Sequence, residues 1–145
     1  MFRIGQEEID AVTKVIQTRS MFKINSGEQA SKQVETKLQT ILGSRYPIFM
    51  TSGHAALVSA LTGMGIGPGD EVIVPAYTYI ATPMAVVAAG AIPIIAEVDE
   101  TLTISPADIE KKLSPRTKAI IPVHIQGFPS NMDAIMAIAK AHHFI

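Results

Sequence analysis

The sequence predicts an α/β protein, a three-layer sandwich with a mostly parallel sheet between helices. Three observations lead there. Beyond residue 45, short apolar runs alternate with helical patterns at the spacing of βαβ units, which implies parallel strands joined by right-handed crossovers. Residues 72–96 carry no charged side chain and read as an interior covered on more than one face. The chain has 145 residues, 48% of them hydrophobic, well above the roughly 40 residues below which small domains need staples.

The first 45 residues form a separate amphipathic entry segment. Ile9, Val12 and Ile16 recur at helical spacing between Glu7 and Arg19, as do Ala30, Val34, Leu38 and Ile41 between Glu28 and Leu42, ending at Gly43. Ser20 to Gly27 reads as a loop. Residues 46–145 form the α/β part. Tyr46 to Met50 predicts a strand, followed by a Thr51-Ser52-Gly53 turn and a helix carrying Leu57, Ala60, Leu61 and Met64. Gly65 to Asp70 is a turn into the strand Glu71 to Pro75. A uniformly apolar helix lies within Tyr77 to Gly90, with Pro83 suited to its first turn, and Ala91 to Ala96 is the next strand. Ser105, Pro106 and Asp108 resemble a capping-box start for a helix through Leu113. Lys118 to Val123 is the fourth strand, Asn131 caps a helix from Met132 to His143, and Phe144-Ile145 reads as the opening of a fifth strand.

Composition excludes several classes. Without Cys there is no disulfide scaffold, thiolate metal site or cysteine nucleophile. A net charge of -1 argues against a nucleic-acid surface, which needs clustered Lys and Arg. The acidic N-terminus does not resemble a signal peptide, and no apolar run approaches the roughly 18 residues of a membrane span, so a cytoplasmic protein is expected. Lys and Arg are absent from Tyr46 to Glu110, so any anion held there must be held by backbone N–H groups and hydroxyls.

Such a place exists on paper at Met50-Thr-Ser-Gly-His-Ala-Ala56, where a strand end, a glycine turn and a helix N-terminus follow one another. Unpaired N–H groups and the helix dipole suit a phosphate there, although a Ser-Gly cap that binds nothing has the same sequence. Gly63 to Gly69 follows a helix and precedes a strand, the reverse of a dinucleotide fingerprint, and lacks the Gly-Lys-Ser/Thr of a phosphate loop. Tyr77, Thr78 and Tyr79 lie past the second strand at the carboxyl edge, where an aromatic either stacks on a heterocycle or packs in the core. His124 and Gly127 lie past the fourth strand, and the histidine reads as a hydrogen-bonded structural residue. His142 and His143 lack the spacing of a zinc pair on one helix face.

Taken together, Thr51 to Leu57, Gly65 to Pro75, Thr78 to Thr82, Gly90 to Pro93 and Ile121 to Gly127 with Met132 to Ile135 resemble the DegT/StrS family, pyridoxal-phosphate-dependent aminotransferases of fold type I. The resemblance begins at Ile4 and runs over essentially the whole chain, as the N-terminal part of the family's large domain. It implies that Ser52, Gly53 and His54 cradle the cofactor phosphate and that Tyr79 stacks on the pyridine ring. His54 stands where the family usually has Thr, so a hydroxyl is missing there and the backbone N–H remains. The Phe22 to Gly27 loop falls where the family lines its substrate entrance.

The resemblance also places the aspartate that pairs with the pyridinium nitrogen, the Schiff-base lysine and the small domain after Ile145, and neither Lys118 nor Lys140 matches the lysine motif. The expectation is the N-terminal portion of an enzyme that moves an amino group from Glu or Gln to a keto-sugar or nucleotide-linked sugar. By itself this portion is expected to bind cofactor weakly, to self-associate and not to transaminate. The alternative is a non-catalytic binding or assembly module with at most a residual phosphate site. An independent nucleotide-binding enzyme is disfavoured by the missing fingerprints.

Overall fold

The computed structural model describes residues 4–24 and 30–144, and the chain divides into two compact units, 1–49 and 50–145. In the first, α1 (Gln6–Gln17) and α2 (Ala30–Leu42) form where the apolar spacing predicts helices. At the start of α1 the Gly5 N–H donates to the Glu8 carboxylate at 2.7 Å. Glu7 and Glu8 in its first turn and Lys14 in its last suit the helix dipole. Its stripe of Ile9, Val12 and Ile16 is exposed.

The buried side chain of α2 is Glu35, not the apolar stripe. Its carboxylate takes the Lys23 ammonium and, at 2.9 Å, the Phe49 N–H. The Lys23 bond first, then the Phe49 bond, holds this carboxyl below the usual glutamate range.

The strand expected at Tyr46–Met50 does not form. Pro47 has no N–H to give, the Phe49 N–H is taken by Glu35, and no described residue offers these positions a ladder. Asn25 to Gly27 of the expected loop, the Glu28 start of the second helix and Ile145 of the expected fifth strand lie outside the described residues.

In the second unit α3 (Gly53–Gly63), β1 (Glu71–Pro75), α4 (Ala81–Ala88), β2 (Ile92–Ala96), α5 (Pro106–Lys112), β3 (Thr117–Ile120) and α6 (Met132–Ala141) follow in order. The strands form one parallel sheet ordered β2-β1-β3. The period of two along β1 sends its side chains into two cores. Val72 and Val74 meet Leu61 of α3 and Ala85 and Val86 of α4. Ile73 meets Ile109 of α5 and Ile135 and Ile138 of α6 on the opposite face. This is the expected three-layer arrangement.

β1 is buried along its whole length, whereas β2 is an edge strand whose Ile92 and Ile95 are 45% and 48% exposed. The expectation of an interior running through residue 96 therefore holds for β1 and for only part of α4, the loop before it and β2, since Tyr79, Ile80, Met84 and Val87 are exposed as well. Gly90, between α4 and β2, has φ +85°, and a Cβ there would stand 3.2 Å from the Pro68 ring, so this corner requires glycine twice over.

α4 starts at Ala81 with Pro83 in its first turn and leaves residues 76–80 as a loop. Pro106 takes the first position of α5, but the capping box does not close, because Ser105 makes no side-chain cap. Asp108 instead accepts the Glu97 N–H at 2.8 Å, satisfying a donor just past β2. Asn131 does cap α6, accepting from the Ala134 N–H at 3.2 Å.

The amino end of β1 is anchored by Glu71, which is buried. Its carboxylate accepts from the Ser114 hydroxyl and from the Arg116 guanidinium, whose Nε stands at 2.8 Å, and its own N–H donates to the Arg116 carbonyl at 2.8 Å. The Ser114 bond, then the Arg116 bond, holds the carboxyl below the usual glutamate range. A depressed folded-state pKa contributes stability above the unfolded value of about 4.3 and loses it as pH falls through the folded value. Urea titrations at decreasing pH should therefore show a shallower acid loss of stability in Glu71→Gln than in the parent chain. Equal acid dependence in the two would contradict this anchor.

Candidate functional site

α3 opens with Ser52 in extended backbone, its hydroxyl oxygen accepting the Ala55 N–H at 3.1 Å and its carbonyl accepting the Ala56 N–H at 3.0 Å. The Gly53 and His54 N–H groups have no partner among the described residues. These two orphan donors sit at the positive end of an 11-residue helix dipole. No acidic side chain stands in the first turn, and a Cβ at Gly53 would meet nothing within 4 Å, so an anion can approach without repulsion or obstruction. The Ser52 hydroxyl is engaged as a helix cap, and its lone pairs face donors of its own turn.

Tyr79 lies in the loop between β1 and α4. The Thr78 and Thr82 hydroxyls are 2.9 Å apart and share a hydrogen bond, and the Thr82 N–H donates to the Tyr79 carbonyl at 3.0 Å. Thr82 is buried, so this pair pins the loop to α4. The Tyr79 ring is left 78% exposed with no hydrogen-bond partner among the described residues, which excludes a core tyrosine and leaves its face open to stacking. Ser52, Gly53 and His54 are thus contiguous at one helix end, and no hydrogen bond or ring contact among the described residues links Tyr79 to them.

His124 is the hydrogen-bonded structural residue its position suggests. Its Nδ1 accepts the Ser130 N–H at 3.0 Å, which places the proton of the neutral ring on Nε2, and the buried Ser130 hydroxyl donates to the Val123 carbonyl at 3.1 Å.

A cleft of about 390 Å³ opens past the carboxyl ends of all three strands, walled by Tyr77, Leu102, Ile125 and Phe128, with Glu100 and Gln126 among its polar groups. Of these residues the sequence singles out Tyr77, and Ile125 and Gln126 fall within the Ile121 to Gly127 block of the family resemblance with no role given to them. Glu100, Leu102 and Phe128 sit in loops without periodicity, and only the rule that ligands collect where strand order reverses could have drawn attention to them.

A family description covering the DegT/DnrJ/EryC1/StrS aminotransferases matches residues 3–145. The chain is 40% identical over 140 residues to the spore coat polysaccharide biosynthesis protein SpsC of Bacillus subtilis, covering 96% of this chain and 35% of that protein. It is equally identical to a UDP-N-acetyl-3-dehydro-alpha-D-glucosamine 3-aminotransferase of Acidithiobacillus ferrooxidans, covering 96% and 37%. Among solved structures, an aminotransferase from Psychrobacter cryohalolentis superposes with a TM-score of 0.91 at 40% identity, over 98% of this chain and 36% of that one. NtdA of Bacillus subtilis, solved with bound cofactor PMP, superposes at 0.84 with 37% identity, over 97% and 33%. The chain thus spans about a third of the length of these relatives, and its parallel sheet and helices have the fold of the corresponding part of fold type I aminotransferases. It belongs to the DegT/DnrJ/EryC1/StrS aminotransferase family.

Proposed function

We propose that this chain is the N-terminal portion of a pyridoxal-phosphate-dependent aminotransferase that acts on a keto-sugar or nucleotide-linked sugar, with Glu or Gln as amino donor. The observation that carries the reading is the pair of unpartnered N–H groups of Gly53 and His54, in a stretch of chain with no Lys or Arg. The residues fit a phosphate monoester: the helix end supplies donors and positive dipole, Gly53 leaves room, and the exposed Tyr79 ring offers a flat face to a heterocycle. Pyridoxal phosphate, when bound, supplies the electron sink on which amino transfer depends. The chain's own part is to hold and orient. Gly53 and His54 would donate to the phosphate, Ser52 fixes the turn that presents them, and Tyr79 would offer its ring face to the heterocycle. A cytoplasmic setting and a homo-oligomer belong to the same reading, and among the described residues no helix is long and apolar enough to cross a membrane.

The 145 residues by themselves hold cofactor weakly and do not transaminate, because none of their lysines, Lys118 and Lys140 included, matches the family's cofactor-attaching motif. Incubation with pyridoxal phosphate, borohydride reduction and peptide mass mapping should show no single lysine modified in high yield. One lysine modified stoichiometrically, with turnover, would overturn this.

Association has its own support in exposed apolar side chains on one edge of the second unit: Met84 and Val87 on α4, and Ile92 and Ile95 on the edge strand β2. Analytical ultracentrifugation should show species heavier than the 15.5 kDa chain. A clean monomer across concentrations would count against self-association.

A further inference from the structure

Three groups that the cofactor reading leaves without a part, Lys118, His142 and His143, meet at the amino edge of the sheet. Lys118 is the second residue of β3, and the two histidines follow the end of α6. With Ser114, Thr117 and Phe144 they line a cleft of about 350 Å³. Residues 50–145 carry only five Lys and Arg side chains, so a lysine and two histidines around one cleft are a local concentration of cationic and donor groups. The walls are fixed from both sides. In the loop before β3, the Ser114 N–H donates to the Thr117 hydroxyl oxygen at 2.9 Å and the Arg116 N–H to the Ser114 hydroxyl oxygen at 3.0 Å. Past α6, the Phe144 N–H donates to the Ala139 carbonyl at 2.8 Å and the His143 N–H to the Lys140 carbonyl at 3.4 Å, the double closure of a Schellman motif. His143 takes the left-handed position of that motif, at φ +57°, where glycine is usual, so its ring is kept there at a backbone cost. The His142 and Phe144 rings stack with centroids 5.5 Å apart, which steadies the imidazole.

The lining calls for an anion. No carboxylate side chain lines this cleft. The Glu71 carboxylate is already matched by Ser114 and Arg116. Asp70 faces Lys118 and His143 from a separate cleft of about 200 Å³, where its carboxylate accepts the Gly67 N–H at 3.0 Å, and among the described residues it makes no ion pair with Lys118. The Lys118 ammonium and both imidazoles make no hydrogen bond or ion pair among the described residues, and each imidazole carries an N–H donor whether neutral or charged. Thr117 is only 2% exposed, and although its hydroxyl accepts from Ser114, its proton has no acceptor among the described residues. Four donor groups around one small space need several acceptor oxygens and negative charge together, which a phosphate group supplies and a carboxylate, with two oxygens, supplies less fully. We propose that this cleft binds a phosphate group, as the free ion or as the terminal phosphate of a small metabolite. The site lies apart from the helix end that carries Gly53 and His54 in sequence and does not depend on the cofactor reading.

The test is nuclear magnetic resonance of the isotope-labelled chain titrated with inorganic phosphate, with ionic strength held constant by sodium chloride. The proposal expects saturable shifts at residues 114–118 and 142–144 and in the two imidazole rings. Lys118 and His143 are exposed, so Lys118→Ala and His143→Ala should keep the dispersed spectrum of the parent. Each should weaken binding about fivefold or more, whereas Lys140→Ala, an exposed cation outside the cleft, should leave it unchanged. Glycerol 3-phosphate should shift the same residues and glycerol should shift none. Tighter saturation by glycerol 3-phosphate assigns the cleft to a phosphorylated metabolite, and tighter saturation by phosphate assigns it to the free ion. Shifts that never saturate, binding by both cleft variants equal to the parent's, or a loss in Lys140→Ala as large as theirs would each overturn the proposal. The Gly53 and His54 amides report the helix end in the same spectra, and Lys118→Ala should leave their response as it is. The amino-edge cleft can thus fail while the cofactor reading stands, and the reverse.

Discussion

β1 is the constraint on which the second unit depends. Its five residues are buried, Val72 and Val74 against one pair of helices and Ile73 against the other, so both helical layers lose their floor if this strand shifts by one residue. Each of Val72, Ile73 and Val74 is fully buried and contributes about 1.5–3 kcal/mol by leaving water. Glu71 ties the amino end of β1 to Ser114 and Arg116, which immediately precede β3. At the other end the chain leaves β1 directly into the loop that carries Tyr77 and Tyr79, so the same strand that organises the core aims the aromatic groups of the carboxyl edge.

Burial on both faces accounts for the uncharged run of β1, where Val72, Ile73 and Val74 are fully buried and a charge would leave water at large cost. The absence of Lys and Arg extends further, from Tyr46 to Glu110, through the largely exposed α3 and a stretch that does carry carboxylates. A phosphate held by this region therefore has to be held by main-chain donors. α3 meets that requirement with a cap that uses the Ser52 side chain for Ala55 and spares the two preceding N–H groups.

The parallel order, the Glu71–Pro75 strand and the Asn131 cap were legible because each rests on local pattern: continuous apolar residues, a glycine turn, a capping side chain. The Tyr46–Met50 strand was not, because apolar content sets a strand's propensity but a ladder needs a neighbour, and Pro47 and the Glu35 bond remove the donors. Nor was the burial of Glu35 in place of the stripe of α2, since its partners Lys23 and Phe49 stand 12 and 14 residues away in sequence. Ser105 looked like a capping residue by spacing, yet Asp108 found a better donor at Glu97, a competition visible only in three dimensions. Ser52, Gly53, His54 and Tyr79 are candidates that the family resemblance names, and spacing alone does not separate them from a plain helix cap and a packed tyrosine. The cleft walled by Tyr77 and Phe128 is not legible in the sequence, because its lining comes from three separate loops that only the sheet brings together.

The claim that a cation-free helix end holds the cofactor's phosphate is tested most directly by backbone amide shifts on adding pyridoxal phosphate and, separately, unphosphorylated pyridoxal. The account predicts that the Gly53 and His54 amides move with the phosphorylated compound and stay in place with the other. Equal response to both, or shifts centred on the lysines of residues 1–45 with Gly53 and His54 unmoved, would contradict it.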